Sequence, residues 1–135
     1  MDRVIVEADG GSRGNPGPAG YGAVVRDFQT GQVLAERSES LGVTTNNVAE
    51  YSALIAGLGA AAQLGAEQVE VRMDSKLVVE QMAGRWKVKH PNMRPLALQA
   101  QQLARKFSQI SYVWVPRAKN TDADRLANLA MDAAA

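Results

Sequence analysis

A chain of 135 residues with 46% hydrophobic and 21% charged side chains is sized and composed for one packed globular domain, which argues against disorder. The absence of Cys and the single histidine, His90, exclude disulfides, thiolate chemistry and a zinc cage; any bound metal must use oxygen ligands, which suit Mg²⁺, Mn²⁺ or Ca²⁺. The net charge of +1 conceals a division, because residues 81–121 hold eight Lys and Arg and no acid, while the remainder holds seven basic and fourteen acidic side chains. That division fits a polyanion contact beside a carboxylate-rich site, or a solvated basic helix face.

In chain order, "RVIVEAD" (3–9), "YGAVVRDF" (21–28) and "QVLAERSES" (32–40) read as strands, the last two joined by a hairpin turn at Thr30-Gly31. They form an antiparallel meander. In "NNVAEYSALIAGLGAAAQLGA" the period changes to three and four, which predicts a helix of about five turns, capped by Asn46 or Asn47 and stopped by Gly65. "QVEVRMD" (68–74) alternates as a strand, "SKLVVEQMA" reads as a short helix ended by Gly84, and a basic loop "GRWKVKHPN" leads to a helix over about 93–107. "ISYVWV" (110–115) is a further strand and "TDADRLANLAMDAAA" a last helix. The order βββαβααβα, with helical crossovers after the meander, predicts an α/β fold: a mixed five-stranded sheet with helices on its faces.

Four acids stand out. Asp9 and Asp74 each end a predicted strand, and open α/β sheets bind ligands beyond the C-terminal ends of parallel strands. Taken singly, Asp9 reads as part of an Asp-Gly turn and Asp74 as a helix cap. Glu50 extends the apolar stripe of its helix, where a carboxylate needs a cation or donors to offset desolvation. Asp124, three residues after Thr121, suits a capping arrangement. Four acids converging on one sheet end would repel one another and call for metal ions.

With these residues in view, the sequence resembles the type 1 ribonuclease H family across nearly its whole length. The resemblance rests on "DGGSRGNPGPAGYG", "TTNNVAEYSALIAGL", "MDSKLVVEQM" and "VPRAKNTDADRLANLA", in that order, each bringing one acid. It implies a ribonuclease H-like fold with the first three strands antiparallel and the first, fourth and fifth parallel. It also implies hydrolysis of the RNA strand of RNA·DNA hybrids with two Mg²⁺ or Mn²⁺ ions, giving 5′-phosphate and 3′-hydroxyl ends. The metal ligands would be Asp9, Glu50, Asp74 and Asp124, with Asp9 shared by both ions. Gly10, Gly11, Ser12 and Asn15 would line the RNA strand and its 2′-hydroxyls, the glycines allowing close approach of the nucleic acid. Thr45, Asn46 and Asn47 would meet the DNA-strand phosphate and the minor groove.

The chain departs from the family pattern in three places. Lys76 stands where many relatives have Gln, placing a charge near the metals. Arg117 replaces a loop His and is assigned to product release or phosphate contact, while His90 falls in a different motif and is read as a loop residue. The helical basic protrusion of some relatives is replaced by the short "GRWKVKHPN", in which Arg85, Trp86, Lys87 and Lys89 suit nucleic-acid contact, the indole either stacking on a strand or packing the loop onto the core.

Residues 1–135 are therefore expected to form one nuclease domain, monomeric and cytoplasmic, without a membrane partner; no apolar run approaches a membrane span and the N-terminus lacks a secretory pattern. The "MDAAA" end is compatible with the nuclease portion of a longer chain, since some relatives with "VPR" and no protrusion are fused to a phosphatase-like domain. Two alternatives remain at this point: a nucleic-acid-binding module of the same fold without catalysis, and a nuclease of that fold acting on another duplex or a junction.

Overall fold

The computed structural model describes residues 2–135. Strands β1 (Arg3–Ser12), β2 (Gly17–Asp27) and β3 (Val33–Thr44) lead into α1 (Asn46–Gln63), β4 (Gln68–Met73), α2 (Lys76–Met82), α3 (Arg94–Ala104), β5 (Gln109–Trp114), a 3-10 turn at Arg117–Lys119 and α4 (Thr121–Ala134). The sheet order is β3-β2-β1-β4-β5, with the first three strands antiparallel and β1, β4 and β5 parallel, as the sequence pattern predicts. Among the described residues no helix is long and apolar enough to cross a membrane.

Strand alternation divides the core between two faces. Val4, Val6 and Ala8 of β1, Ala23 and Val25 of β2, and Val69, Val71 and Met73 of β4 pack with Tyr51, Leu54 and Leu58 of α1 in one buried cluster, closed by α3 through Ala97 and Ala100. The opposite face of β1, β2 and β3 is covered by α4, whose Ala123, Leu126, Ala127, Ala130 and Met131 are buried.

Both helices lie unusually close to the sheet. A Cβ on Gly10 would stand 2.1 Å from the main-chain oxygen of Ala49, and one on Gly22 would stand 2.5 Å from that of Ala123. Only glycine permits these approaches, and they bring the first turns of α1 and α4 against neighbouring strands near Asp9.

Several local expectations are corrected. β1 does not end at Asp9; it parts from β4 after the pair Ala8 and Met73, but continues beside β2 to Ser12. Asp9 is thus the first residue beyond the parallel pairing, and its neighbour Gly10 serves helix packing, which the sequence reading had not foreseen. The β2–β3 connection is longer than a two-residue turn: Gly31 N–H closes onto Asp27 O at 2.9 Å, and φ is +75° at Gly31. The α1 cap is Thr45, whose hydroxyl accepts from Val48 N–H, not Asn46 or Asn47. Gly65 does stop the helix, in a Schellman arrangement with Gly65 N–H on Ala62 O and Ala66 N–H on Ala61 O. α3 is shorter than expected, running Arg94–Ala104, and Phe107 lies buried beyond it.

Two glycine substitutions should separate packing from propensity. Gly10→Ala should destabilise the fold by on the order of 3 kcal/mol, because rigid backbone meets the new methyl. Gly59→Ala, in α1 with open space around the position, should stabilise by about 0.5–1 kcal/mol. Thermal and urea unfolding of the two variants measures both.

Candidate active site

The four acids come from four elements that meet where β1 leaves β4. Asp9 follows the last parallel pair, Asp74 follows β4, Glu50 sits one turn into α1, and Asp124 lies in the first turn of α4. They line one open cleft of about 340 Å³ together with Gly10, Gly11, Ser12, Asn46 and Arg117, and with Arg13, Asn128 and Met131, which sequence reasoning did not single out.

Burial and crowding set the electrostatics. The Asp9 carboxyl is pushed up to about 8, chiefly by desolvation, then by the charge of Asp74, a hydrogen bond with Asp124, and the charges of Asp124 and Glu50. Glu50 is pushed up to about 7 by burial and by Asp74, against a hydrogen bond from Ser75 that favours its charged form. Among the described residues no three acids, or acids with the histidine, gather into a ready-made cage for one ion. The acids instead surround Asp9, close enough for each to raise its carboxyl. An all-oxygen donor set of crowded, part-buried carboxyls fits hard divalent cations, which would relieve both repulsion and desolvation.

Neighbouring residues fix the orientation of these carboxylates. Asp74 is not a helix cap: Ser75 caps α2, its hydroxyl accepting from Val78 N–H. Asp74 instead accepts from the side-chain amide of Asn120 at 3.3 Å, and its main-chain oxygen accepts from the Trp114 indole at 3.2 Å. Asn120 is 1% exposed and also donates to Ala8 O at 3.0 Å, so it ties β1, Asp74 and the start of α4 together. Both partners are acceptors, which orients the amide, and its own oxygen is left without a protein partner. The sequence offered little to find it by, since Asn before a helix reads as a cap; here no side-chain cap bond forms. Thr121 likewise is not a cap but the first residue of α4, so the expected capping arrangement with Asp124 is absent. Asp124 faces Arg117, whose guanidinium donates to it at 3.2 Å.

The residues expected to contact substrate fall into three groups. Ser12, Asn15 and Asn46 form one network: Ser12 N–H donates to Asn46 Oδ1 at 2.7 Å and Asn46 N–H to Asn15 Oδ1 at 3.2 Å. Thr45 and Asn47 flank Asn46 at the start of α1. Lys76, at the start of α2, and Arg85, three residues past its end, both pair with the largely buried Glu80, whose carboxyl is held down to about 2 by Arg85 and then by Lys76. Their charge is therefore partly compensated. Trp86, Lys87 and Lys89 line a separate shallow pocket, and Trp86 is 47% exposed, which excludes packing of the indole into the core. His90 is an exposed loop residue whose Nδ1 accepts from Asn92 N–H.

Residues 7–130 match the family described as reverse transcriptase-like. A bifunctional protein of Mycobacterium tuberculosis is 66% identical over 98% of this chain, and the chain spans 36% of its length. The solved N-terminal RNase H domain of a Mycobacterium tuberculosis protein, fused to maltose-binding protein, superposes with a TM-score of 0.97 at 65% identity, covering 99% of this chain and 96% of that one. LC11 RNase H1, solved in complex with RNA/DNA hybrid, superposes with a TM-score of 0.91 at 44% identity, covering 97% of this chain and 98% of that one.

The raised carboxyls make the metal-free protein pH-sensitive. Between the ordinary carboxylate range and pH about 8, folded Asp9 keeps a proton that the unfolded chain has released. Stability from this group is therefore complete at low pH and is lost as pH rises toward 8. Asp9→Asn should flatten that slope and stabilise the metal-free fold at pH 8 by roughly 1–3 kcal/mol. Millimolar Mn²⁺ should raise the midpoint of the parent more than that of the variant. Thermal unfolding from pH 4 to 9, with EDTA or Mn²⁺, tests both expectations.

Proposed function

Because the chain belongs to the ribonuclease H family, we propose that it hydrolyses the RNA strand of RNA·DNA hybrids, leaving 5′-phosphate and 3′-hydroxyl ends. The observation that carries this reading is the convergence of Asp9, Glu50, Asp74 and Asp124 on one cleft bordered by the Ser12–Asn15–Asn46 network. A relative of the same fold was solved with RNA/DNA hybrid, which supports the choice of substrate.

Two Mg²⁺ or Mn²⁺ ions held by Asp9, Glu50, Asp74 and Asp124 would supply charge neutralisation at the phosphodiester and an activated water for in-line attack. The chain's own residues do the positioning. Asn120 sets the orientation of Asp74 by a hydrogen bond, and Ser75 favours the charged form of Glu50. Asp9 stands between the other acids, and the close seating of α1 on β1 keeps Glu50 beside it. Arg117 holds Asp124 and is placed to meet a phosphate or to assist product release as that pairing opens. Gly10, Gly11, Ser12 and Asn15 are assigned to the RNA strand, where the 2′-hydroxyl distinguishes RNA from DNA. Thr45, Asn46 and Asn47 are assigned to the DNA strand and minor groove, and Lys76, Arg85, Trp86, Lys87 and Lys89 to the flanking duplex. Residues 1–135 would act as one monomeric nuclease domain in the cytoplasm. The span of 36% of the mycobacterial relative's length supports reading it as part of a longer protein.

Asp74→Asn should lower cleavage of an end-labelled hybrid by at least about a thousandfold while preserving the fold and most of the hybrid affinity. The parent should cut neither RNA·RNA nor DNA·DNA duplexes, and EDTA should stop it. Full activity in the variant would remove Asp74 from the site.

A further inference from the structure

Asp124, Asn128 and Asp132 recur at four-residue spacing and form one stripe along α4. Asp124 and Asn128 line the acid cleft, and Asn128 Nδ2 donates to Asp124 O at 2.9 Å. Arg13, from the β1–β2 connection, reaches across to this stripe, pairing with the Asp132 carboxylate and donating to Asn128 Oδ1 at 3.4 Å.

The base of Arg13 is fixed and its head is exchangeable. Its N–H donates to Pro18 O at 2.9 Å, and the preceding Ser12 is held by Asn46 Oδ1 and by Thr44 O, the latter accepting from Ser12 Oγ at 2.8 Å. The guanidinium end lies at the surface: the Arg13 and Asp132 side chains are 45% and 59% exposed. An ion pair so open to water contributes little to stability. Among the described residues Arg13 and Arg117 are the basic side chains lining the cleft, and Arg117 is paired with one of the four acids. A polyanion entering a cleft of four carboxylates meets repulsion, and Arg13 is the cation whose partner lies outside that set. A guanidinium fork accepts a phosphate in the geometry with which it accepts a carboxylate.

We propose that Arg13 contacts a backbone phosphate of the nucleic-acid strand in the cleft, and that Asp132 occupies its guanidinium until that phosphate arrives. The inference rests on the ribonuclease H reading and adds a binding residue to it. Asp132 is a stand-in anion: it holds the arginine extended along α4 and gives way to a stronger one.

The test uses hybrid binding in an Asp74→Asn background, so that substrate is not consumed, with Kd measured from 0.05 to 0.3 M salt. Arg13→Ala should weaken binding about five- to tenfold at 0.1 M salt and lower the slope of log K against log salt by about 0.7–0.9, the signature of one lost phosphate contact. Arg13→Lys should retain most of the slope. Asp132→Asn should tighten binding, and should do nothing once Arg13 is Ala. An unchanged salt slope in Arg13→Ala, whatever happens to Kd, would show a structural tie and overturn the inference, as would weaker binding in Asp132→Asn. If Asp74→Asn alone fails to bind hybrid, the ribonuclease H reading falls with it; normal binding without dependence on Arg13 overturns this inference alone.

Discussion

The backbone of α1 lies against β1 at Gly10, where even one methyl group would stand 2.1 Å from Ala49 O. That contact seats Glu50 beside Asp9, in a region buried enough to push both carboxyls well above their ordinary range. Gly22 does the same for α4, whose first turn carries Asp124. β4 supplies Asp74 by ending one pair short of Asp9, where β1 turns from parallel pairing with β4 to antiparallel pairing with β2 alone. The site is thus made by close packing of two helices on a sheet, and the same packing removes the water that would otherwise screen its charges.

Much of the fold was legible because it rests on periodicity. The alternation of "QVEVRM" and the helical spacing of Tyr51, Leu54 and Leu58 identified β4 and α1, and crossover rules then set the parallel pairing of β1 and β4. Caps and strand ends were less legible, because they depend on which of two adjacent polar residues happens to face a free N–H. Thr45 caps α1 although two asparagines follow it, and Asn120 precedes α4 yet spends its side chain on Ala8 and Asp74. Gly10 was legible as a special position but not for its reason: no local pattern tells a glycine that admits a ligand from one that admits a helix.

The site combines two opposed electrostatic requirements. Four acids favour divalent cations, while the backbone of a nucleic acid is repelled by them. The chain answers with basic groups set around the acids. Arg117 balances Asp124 directly, Glu80 gathers Lys76 from the start of α2 and Arg85 from the loop after it, and Trp86, Lys87 and Lys89 line an exposed pocket. A surface organised in this way suits a polyanion bound through counterion release, with any bound metal ions setting the charge of the centre.

The central claim is that the acids form a charge-frustrated cluster which divalent cations resolve. The most direct measurement is calorimetric titration of Mn²⁺ into the protein at pH 7 in two buffers of different ionisation enthalpy, which counts protons displaced per ion bound. With Asp9 near 8 and Glu50 near 7, the account predicts saturable binding with release of about one proton or more per protein, abolished in Asp9→Asn. Absence of saturable binding, or binding without proton release, would contradict it.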